Sequence, residues 1–223
     1  MDTATRDVMM RTGINDAHAT PMSLFMMLDS AFAFVLDVAA SRSTARVPHV
    51  ALDNGDLKSR YFGPDHDDPM RRDALVIPWS VDARLPAGAP PHDFGVCWMN
   101  PPYSDTENKC RPSCKKKRCL TRGYHLSEDR PGQREFIEKA YLEASLCRVP
   151  TIALLPARTD TEAFHEFVYD RQKQTWHRGV YVRLLKGRLT FEGETDPAPF
   201  PSMLVAFWPK LRAFPGWPAL GVH

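Results

Sequence analysis

The sequence lacks a long hydrophobic run, a signal-peptide pattern and a strong net charge. No stretch approaches the roughly 18 consecutive apolar residues that a membrane-spanning helix requires. The first residues, MDTATRDVMMRTG, lack the charged-then-apolar order of a secretory signal. We therefore expect a cytoplasmic protein without a membrane partner. Because the net charge is only +2 over 223 residues, any attraction to nucleic acid has to be local.

Internal repeats and low-complexity segments are also absent. The composition, 43% hydrophobic and 25% charged, is that of a folded globular protein. At 223 residues, the chain is long enough for one α/β domain with a substantial core but too short for two such domains. We therefore predict a single domain over residues 1–223, with no obligatory protein partner evident.

Hydrophobic periodicity predicts helices that alternate with short buried strands. An apolar stripe predicts a helix over about 21–33, with Thr20 as its N-cap and Pro21 at its first position. The other predicted helices are 133–147 and 159–170, and the predicted strands are 33–37, 47–52, 75–79, 94–99, 149–157, 180–187, 188–193 and 202–209. This alternation predicts an α/β fold with a mostly parallel sheet and an antiparallel pair at the C-terminal end.

The tetrapeptide Asn100-Pro101-Pro102-Tyr103 directly follows the predicted strand 94–99. Prolines cannot donate ladder hydrogen bonds, so the strand has to stop there. The Asn100 side-chain oxygen and the Pro101 carbonyl could accept both hydrogens of an amino group on an aromatic ring, and the two prolines would fix that carbonyl in place. Tyr103 would stack on an extruded base. The alternative is a structural Asn-Pro turn with the tyrosine packed on the surface.

Asp37 stands at the end of the first predicted strand. In a doubly wound sheet, ligands bind beyond the carboxyl ends of the strands, where the strand order reverses. If this strand and the one that precedes Asn100 are neighbours, a cofactor held near Asp37 can present its reactive atom to a substrate held at Asn100.

Residues 105–132 form a basic, cysteine-rich insert. Cys110, Cys114, Cys119 and His125 could supply the three thiolates and one imidazole of a closed tetrahedral zinc site, which would organise an otherwise unstructured loop. Their spacing is not a common zinc-finger pattern. Free cysteines in a basic loop are therefore the alternative.

The insert also concentrates positive charge, because seven of the fourteen residues from 109 to 122 are Lys or Arg. They follow the tetrapeptide closely and are placed to contact the phosphates beside an extruded base. A solvated run of charges is the alternative. The residues to which we assign phosphate contacts are Lys115, Lys116, Lys117, Arg118 and Arg122.

The motifs occur in the order of a known family. The chain resembles the phage-type DNA N6-adenine methyltransferases, the Dam family of phages and prophages, from about residue 20 to 208. The matching pieces are Thr20-Pro21-Met22-Ser23-Leu24-Phe25, Phe34-Val35-Leu36-Asp37-Val38-Ala39-Ala40, Asp73-Ala74-Leu75 with Trp79, Met99-Asn100-Pro101-Pro102-Tyr103-Ser104, Leu154-Leu155-Pro156-Ala157-Arg158-Thr159-Asp160-Thr161 with Phe164-His165, Gly187-Arg188-Leu189-Thr190-Phe191, and Pro201-Ser202-Met203-Leu204. The insert interrupts the family pattern, in which a helix closely follows the tetrapeptide.

The resemblance implies a Rossmann-like methyltransferase fold and an enzyme that transfers a methyl group from S-adenosylmethionine to the N6 amino group of a flipped-out adenine in double-stranded DNA. Asn100, Pro101, Pro102 and Tyr103 match the catalytic tetrapeptide. The resemblance also implies a bacterial cell, or one infected by a phage, as the location.

The cofactor-binding residues that the resemblance implies are Thr20, Pro21, Asp37, Ala39 and Asn100. Asp53, after the second predicted strand, is a positional candidate for binding the cofactor ribose and could equally be a turn residue. The sequence departs from broader methyltransferase patterns at DVAAS, where many of those enzymes have a Gly-rich loop.

Two alternative functions stay open. A methyltransferase of another planar nitrogen, such as a protein glutamine amide or an RNA base, can use the same tetrapeptide, although the basic insert favours nucleic acid. A zinc-bearing DNA-binding protein that kept the fold without activity is the second alternative, and the intact tetrapeptide and Asp37 argue against it.

Overall fold

A computed structural model describes residues 19–48, 50–51, 57–85 and 93–219. Within these ranges the predicted alternation of helices and strands is confirmed. The helices are α1 (Met22–Phe32), α2 (Lys117–Arg122), α3 (Gln133–Leu142), which continues as a π-helical turn (Glu143–Cys147), and α4 (Glu162–Phe167). The strands are β1 (Phe34–Asp37), β2 (Val50–Ala51), β3 (Leu57–Lys58), β4 (Val96–Met99), β5 (Thr151–Pro156), β6 (Tyr169–Asp170), β7 (Thr175–Trp176), β8 (Val180–Leu184) and β9 (Ser202–Phe207).

Five strands form the main sheet in the order β1-β4-β5-β9-β8. The pairs β1–β4 and β4–β5 are parallel, whereas β9 runs antiparallel to both of its neighbours. The predicted antiparallel C-terminal pair is thus confirmed. The sheet as a whole is mixed rather than mostly parallel, because β9 is inserted between β5 and β8.

Two predicted strands are wrong. Residues 75–79 form a turn that leads into a 3-10 helix, Trp79–Val81. The Trp79 side chain is fully buried and donates its indole N–H to the carbonyl of Ala74 (2.8 Å), so the apolar residues of this stretch pack in a turn.

The second wrong strand is 188–193, which contributes a single bridge, between Glu192 and Ala19. Of the predicted strand 47–52, only Val50–Ala51 is extended within the described residues, and it pairs with β3 outside the main sheet.

Apolar layers cover both faces of the main sheet. Successive side chains of a strand point to opposite faces, and in β5 Ala153 and Leu155 join one core cluster while Ile152 and Leu154 join the other. The first cluster includes side chains from α3 and α4, and the second includes the buried stripe of α1. Burial on both faces explains why the central strands read as continuous hydrophobic runs.

Residues 60–62 line the free edge of β1. The Asp37 N–H donates to the Arg60 carbonyl (2.9 Å), and the Phe62 N–H donates to the Asp37 carbonyl (2.8 Å). This contact is a parallel bridge between Asp37 and Tyr61. After β1, the chain first runs along one side of this strand at residues 60–62 and later forms β4 on its other side. The strand order reverses at β1, which is the position where ligands bind in open α/β sheets.

Among the described residues, none of the helices combines the length and the apolar character that crossing a membrane would require.

We expect Gly63→Ala to destabilise the edge beside β1. A Cβ at Gly63 would lie 1.6 Å from the backbone oxygen of Ala40, so the chain after β1 would have to move. The matched control is Gly193→Ala, where φ is +86° but a Cβ meets nothing within 4 Å. Urea denaturation should show a loss of roughly 3 kcal/mol or more for Gly63→Ala and about 1 kcal/mol for the control. Equal losses would contradict the tight contact.

Candidate functional site

Asp37 and Asn100 lie at the carboxyl ends of two adjacent parallel strands. Asp37 is paired in register with Trp98, and the Val38 N–H donates to the Trp98 carbonyl (2.9 Å). Asn100 follows two residues later, directly after β4. The condition that these two strands are neighbours is therefore met, and both polar residues stand at the carboxyl end of the sheet.

Tyr103 folds back onto Asn100. Its hydroxyl donates a hydrogen bond to the Asn100 side-chain oxygen (2.8 Å) and lies 3.4 Å from the Leu154 carbonyl oxygen. Burial raises the pKa of the Tyr103 hydroxyl, so the group stays a neutral donor. An amide oxygen has two lone pairs, which means that Asn100 Oδ1 can accept from Tyr103 and from a second donor. The hydrogen bond therefore orients the Asn100 amide.

The two prolines keep the tetrapeptide close to the sheet. Pro101 is buried and Pro102 is half-buried. Each fixes its own φ and removes a backbone donor, so the Pro101 carbonyl belongs to a stretch with little conformational freedom. This rigidity agrees with the sequence interpretation of the strand ending.

Two aromatic side chains to which the sequence assigned no role pack against Tyr103. Phe200 and Phe191 pack edge-on against its ring, with ring centroids 5.4 and 5.9 Å away. Both come from the loop between β8 and β9, residues 185–201. A cavity of about 200 Å³ opens between Phe191 and Phe200. The signal for Phe191 was present in the stretch Gly187–Phe191, but Phe200 reaches Tyr103 only through the tertiary fold.

The Asp37 carboxylate is buried and faces its own loop. Its Oδ2 accepts from the backbone N–H of Arg46 (3.1 Å) and its Oδ1 accepts from the backbone N–H of Ala39 (3.4 Å). Burial raises the pKa of Asp37 to about 7, against the two backbone hydrogen bonds, which lower it. Asp37 thus anchors the loop 38–46 at the point where the strand order reverses.

The predicted N-terminal cofactor element lies beside this loop. The Arg46 guanidinium forms an ion pair with Glu192, and the Glu192 N–H donates to the Ala19 carbonyl (2.9 Å). Thr20 and Pro21 are the two residues after Ala19. Two adjacent residues of the loop 185–201 therefore contact all parts of the site. Glu192 contacts Ala19, which precedes Thr20, and Arg46 of the Asp37 loop, whereas Phe191 contacts Tyr103.

Thr20 does not cap α1, so that prediction is wrong. Pro21 is the N-cap residue, with an extended ψ of 127°, and the helix begins at Met22. The chain stays extended up to Pro21 because Ala19 is bridged to Glu192. The Thr20 hydroxyl is buried and has no hydrogen-bond partner among the described residues.

The position of Asp53 lies outside the described residues. On the side away from β4, the parallel neighbour of β1 is the segment 60–62 and not the predicted strand 47–52. The acid that follows this segment is Asp65. Both Asp65 carboxylate oxygens lie within hydrogen-bond distance of the Arg42 N–H (2.9 and 3.0 Å). Asp65 therefore connects the loop after β1 with the loop after the segment 60–62, at the carboxyl end of the sheet.

The four predicted metal ligands come together. Single ligand atoms of Cys110, Cys114, Cys119 and His125 all lie within 4.8 Å of one another. Cys119 is buried, Cys110 and Cys114 are half-buried, and His125 is exposed. Hydrogen bonds from the His125 side chain and from the Leu126 backbone lower the pKa of the Cys110 thiol to about 7. The cluster could bind a metal ion such as zinc.

The two ends of the insert are paired with each other next to the tetrapeptide through one antiparallel bridge between Glu107 and Arg130. Glu107 and Arg130 exchange both backbone hydrogen bonds (2.9 and 2.7 Å). At the base, Gln133 N–H donates to the Ser104 carbonyl (2.9 Å). A Cβ at Gly132 would meet the backbone of residues 104–106 at about 2.5 Å. The insert is therefore attached directly behind Tyr103.

The predicted phosphate-contacting residues lie at the far part of the insert. Lys115, Lys116 and Lys117 are exposed. Arg118 and Arg122 belong to α2, which begins at Lys117.

Comparisons with protein families, with curated proteins and with solved structures found no match to this chain. The resemblance to the phage-type adenine methyltransferases stays a prediction that rests on the quoted motifs.

We expect the stability of the folded chain to depend on pH through Asp37. In the folded state its pKa is about 7, and its ordinary value is 3.8. Between these values the folded state holds a proton that the unfolded chain has lost. The free energy of unfolding should therefore fall as the pH rises from about 4 to about 7 and then level off.

Urea denaturation of the wild type and of Asp37→Asn at pH 5 and pH 8 checks this expectation. Asn cannot ionise, so the stability of the wild type relative to the variant should fall by roughly 2 to 3 kcal/mol between the two pH values. A difference that does not change with pH would show that Asp37 is already ionised in the folded protein at pH 5.

Proposed function

We propose that the protein is a DNA adenine-N6 methyltransferase that uses S-adenosylmethionine. The observation that carries the proposal is the position of Asn100-Pro101-Pro102-Tyr103 at the carboxyl end of β4, next to the buried Asp37 at the end of β1. The carboxyl end of the sheet at the point where the strand order reverses is the general ligand-binding position of open α/β folds. The finer assignment to a Rossmann-like methyltransferase fold belongs to the same proposal.

The tetrapeptide supplies acceptors for an amino group on an aromatic ring. The nitrogen lone pair of such a group is delocalised, which makes the nitrogen a poor nucleophile. Asn100 Oδ1 and the Pro101 carbonyl would accept the two amino hydrogens and draw the nitrogen towards a pyramidal form. Tyr103 keeps the Asn100 amide oriented in advance, which is the preorganisation that electrostatic catalysis requires. The nitrogen can release its proton after the transfer, so the site needs no general base.

The residues at this edge fit the proposed cofactor. S-adenosylmethionine supplies an electrophilic methyl group on a sulfonium centre. The buried Thr20 hydroxyl, which lacks a partner among the described residues, offers a donor and an acceptor for a polar group. Asp37 orders the loop that contains Ala39. Asp65 follows the segment 60–62, which lies beside β1 on the side away from β4, and a ribose-binding acid would stand at this position. We assign Thr20, Pro21, Asp37, Ala39 and Asn100 to the cofactor side of the site.

The exposed lysines of the insert favour DNA as the partner. Lys115, Lys116 and Lys117 provide a local positive charge on a chain whose net charge is only +2. The insert begins two residues after Tyr103, and at its base the Gln133 N–H donates to the Ser104 carbonyl, so the arm that contains these charges starts beside the tetrapeptide. Charges at this place can neutralise phosphates that flank an extruded base.

The alternative within enzymes is methylation of another planar nitrogen, such as a protein glutamine amide or an RNA base. The same two acceptors would hold either amino group. The lysine cluster favours a polyanion over a protein substrate. A non-catalytic, metal-bearing DNA-binding protein is the second alternative, and the hydrogen bond that orients Asn100 argues against it because DNA binding alone does not need it.

The decisive experiment incubates the protein with radiolabelled S-adenosylmethionine and duplex DNA and then analyses the digested nucleosides. We expect label in N6-methyladenine, and Asn100→Ala should reduce the rate by at least about 100-fold because one of two acceptors is lost. The matched control is Asn108→Ala, an exposed asparagine in the insert, which should leave the rate unchanged. Label in protein or RNA with unlabelled DNA would support the first alternative, and tight DNA binding without any transfer would support the second.

Neutralising the lysines should weaken DNA binding in a salt-dependent way. We expect Lys115→Gln, Lys116→Gln and Lys117→Gln together to flatten the slope of log K against log salt by up to about 2.7, since each phosphate contact contributes about 0.9. The measurement is fluorescence anisotropy with a labelled duplex at several salt concentrations.

The control for the lysine variant neutralises three exposed cations outside the insert, Arg171, Arg178 and Lys210. Its salt slope should equal that of the wild type. An unchanged slope in the lysine variant would place the insert away from the DNA.

A further inference from the structure

We propose that Cys110, Cys114, Cys119 and His125 form a structural zinc site that folds residues 107–130 into an ordered arm beside Tyr103. The metal site is independent of the methyltransferase proposal. The role of the arm in holding DNA rests on that proposed function.

The distances in the cluster fit one shared ion. Cys119 Sγ lies 3.4 Å from Cys110 Sγ and 3.7 Å from Cys114 Sγ. In a tetrahedral site with Zn–S bonds of about 2.3 Å, two sulfur atoms are about 3.8 Å apart. A disulfide would need about 2.05 Å. The observed spacing excludes a disulfide between these pairs and fits thiolates that share one metal ion.

The ligands come from separate parts of the arm, which the fold has to bring together. Cys114 closes a turn in which its N–H donates to the Arg111 carbonyl (2.9 Å), and Cys119 lies in the first turn of α2. Gly123 ends α2 with φ +77°, a left-handed conformation that favours glycine, and turns the chain back towards His125. A single ion would thus connect both loops of the arm with its helix.

The arm returns to the first ligand through a backbone contact. The Cys110 N–H donates to the Leu126 carbonyl (3.0 Å), and the Leu126 N–H donates to Cys110 Sγ (3.3 Å). Donors of this kind around a ligand atom orient it and stabilise the thiolate form that binds a metal.

The arm has almost no hydrophobic core of its own. Among the residues from 105 to 130 whose side chains are described, only Cys119 is buried. A segment of this length cannot offset its loss of conformational entropy without buried apolar surface, a disulfide or a metal. The free energy of metal binding would therefore supply the folding free energy of the arm.

Four protein ligands close the coordination sphere. A catalytic zinc ion keeps one position open for water or substrate, whereas a structural ion has four protein ligands. Three thiolates and one imidazole also favour zinc over the hard cations, which prefer oxygen ligands. The ion would therefore take no part in the chemistry at Asn100.

The positions of the ligands give the metal a second effect. Lys115, Lys116 and Lys117 occupy the stretch between Cys114 and Cys119. Fixing both cysteines to one ion fixes the backbone on either side of the three lysines. The metal would thereby keep the three charges in a constant orientation towards the phosphates of a bound duplex.

Metal analysis of the full-length protein tests the site directly. We expect about one zinc ion per chain by mass spectrometry of the purified protein. Replacement with Co²⁺ should give the intense visible bands and the thiolate charge-transfer band of a tetrahedral thiolate site. Cys114→Ser should lose both signals, whereas Cys147→Ser, an exposed cysteine outside the arm, should keep them. A metal-free wild type, or a Cys114→Ser variant that binds zinc as the wild type does, would overturn the proposal.

Chelation of the wild type keeps the test valid if Cys114→Ser does not fold. Removing zinc should expose the arm to trypsin at the lysines between Cys114 and Cys119 while the sheet stays protected. It should also flatten the salt slope of DNA binding by as much as neutralising the three lysines does. An arm that resists trypsin equally well after complete removal of the metal would contradict a structural ion.

The two proposals fail separately. Zinc in the arm without methyl transfer would remove the enzymatic proposal and leave the metal site. Methyl transfer by a protein that never contains a metal would remove the metal site and leave the enzyme.

Discussion

The buried carboxylate of Asp37 is the contact on which the arrangement of the site depends. It holds the loop 38–46 through the backbone of Ala39 and Arg46, and its own backbone joins β1 to the segment 60–62. Burial makes this carboxyl group costly to ionise. Its two backbone hydrogen bonds order the chain at the point where the strand order reverses. The neighbouring strand then brings Asn100 to the same edge.

The sequence allowed the central part of this arrangement to be predicted. The strand that ends before Asn100 and the antiparallel C-terminal pair were both expected, and the adjacency of that strand to the strand of Asp37 was the condition on which the site interpretation depended. These elements are buried on both faces, so hydrophobic runs and proline positions contain enough information to place them. The clustering of the cysteines with His125 was expected from a different local signal, because three cysteines and one histidine within sixteen residues can supply the four ligands of a zinc site.

Other parts depended on tertiary contacts that no local pattern contains. The stretch 75–79 looks like a strand, but Trp79 buries its ring in the core and satisfies its indole N–H on Ala74, which only a turn allows. Thr20 looks like a helix cap, but the pairing of Ala19 with Glu192 keeps the chain extended. Phe200 reaches Tyr103 from a distance of nearly one hundred residues along the chain. The partners of Ala19 and Phe200 are remote in sequence, and the core cluster that receives the Trp79 ring is assembled from several helices and strands.

The loop 185–201 touches both halves of the site at neighbouring residues. Phe191 packs against Tyr103, and Glu192 binds Ala19 and Arg46. A ligand that shifts this loop from either side changes the environment on the other side. By thermodynamic linkage, such coupling is reciprocal: if occupation of the Asp37 side strengthens binding at Tyr103, then binding at Tyr103 strengthens occupation of the Asp37 side by the same factor. For the two ligands of the proposed function, Phe191 and Glu192 are the adjacent residues through which such coupling would pass.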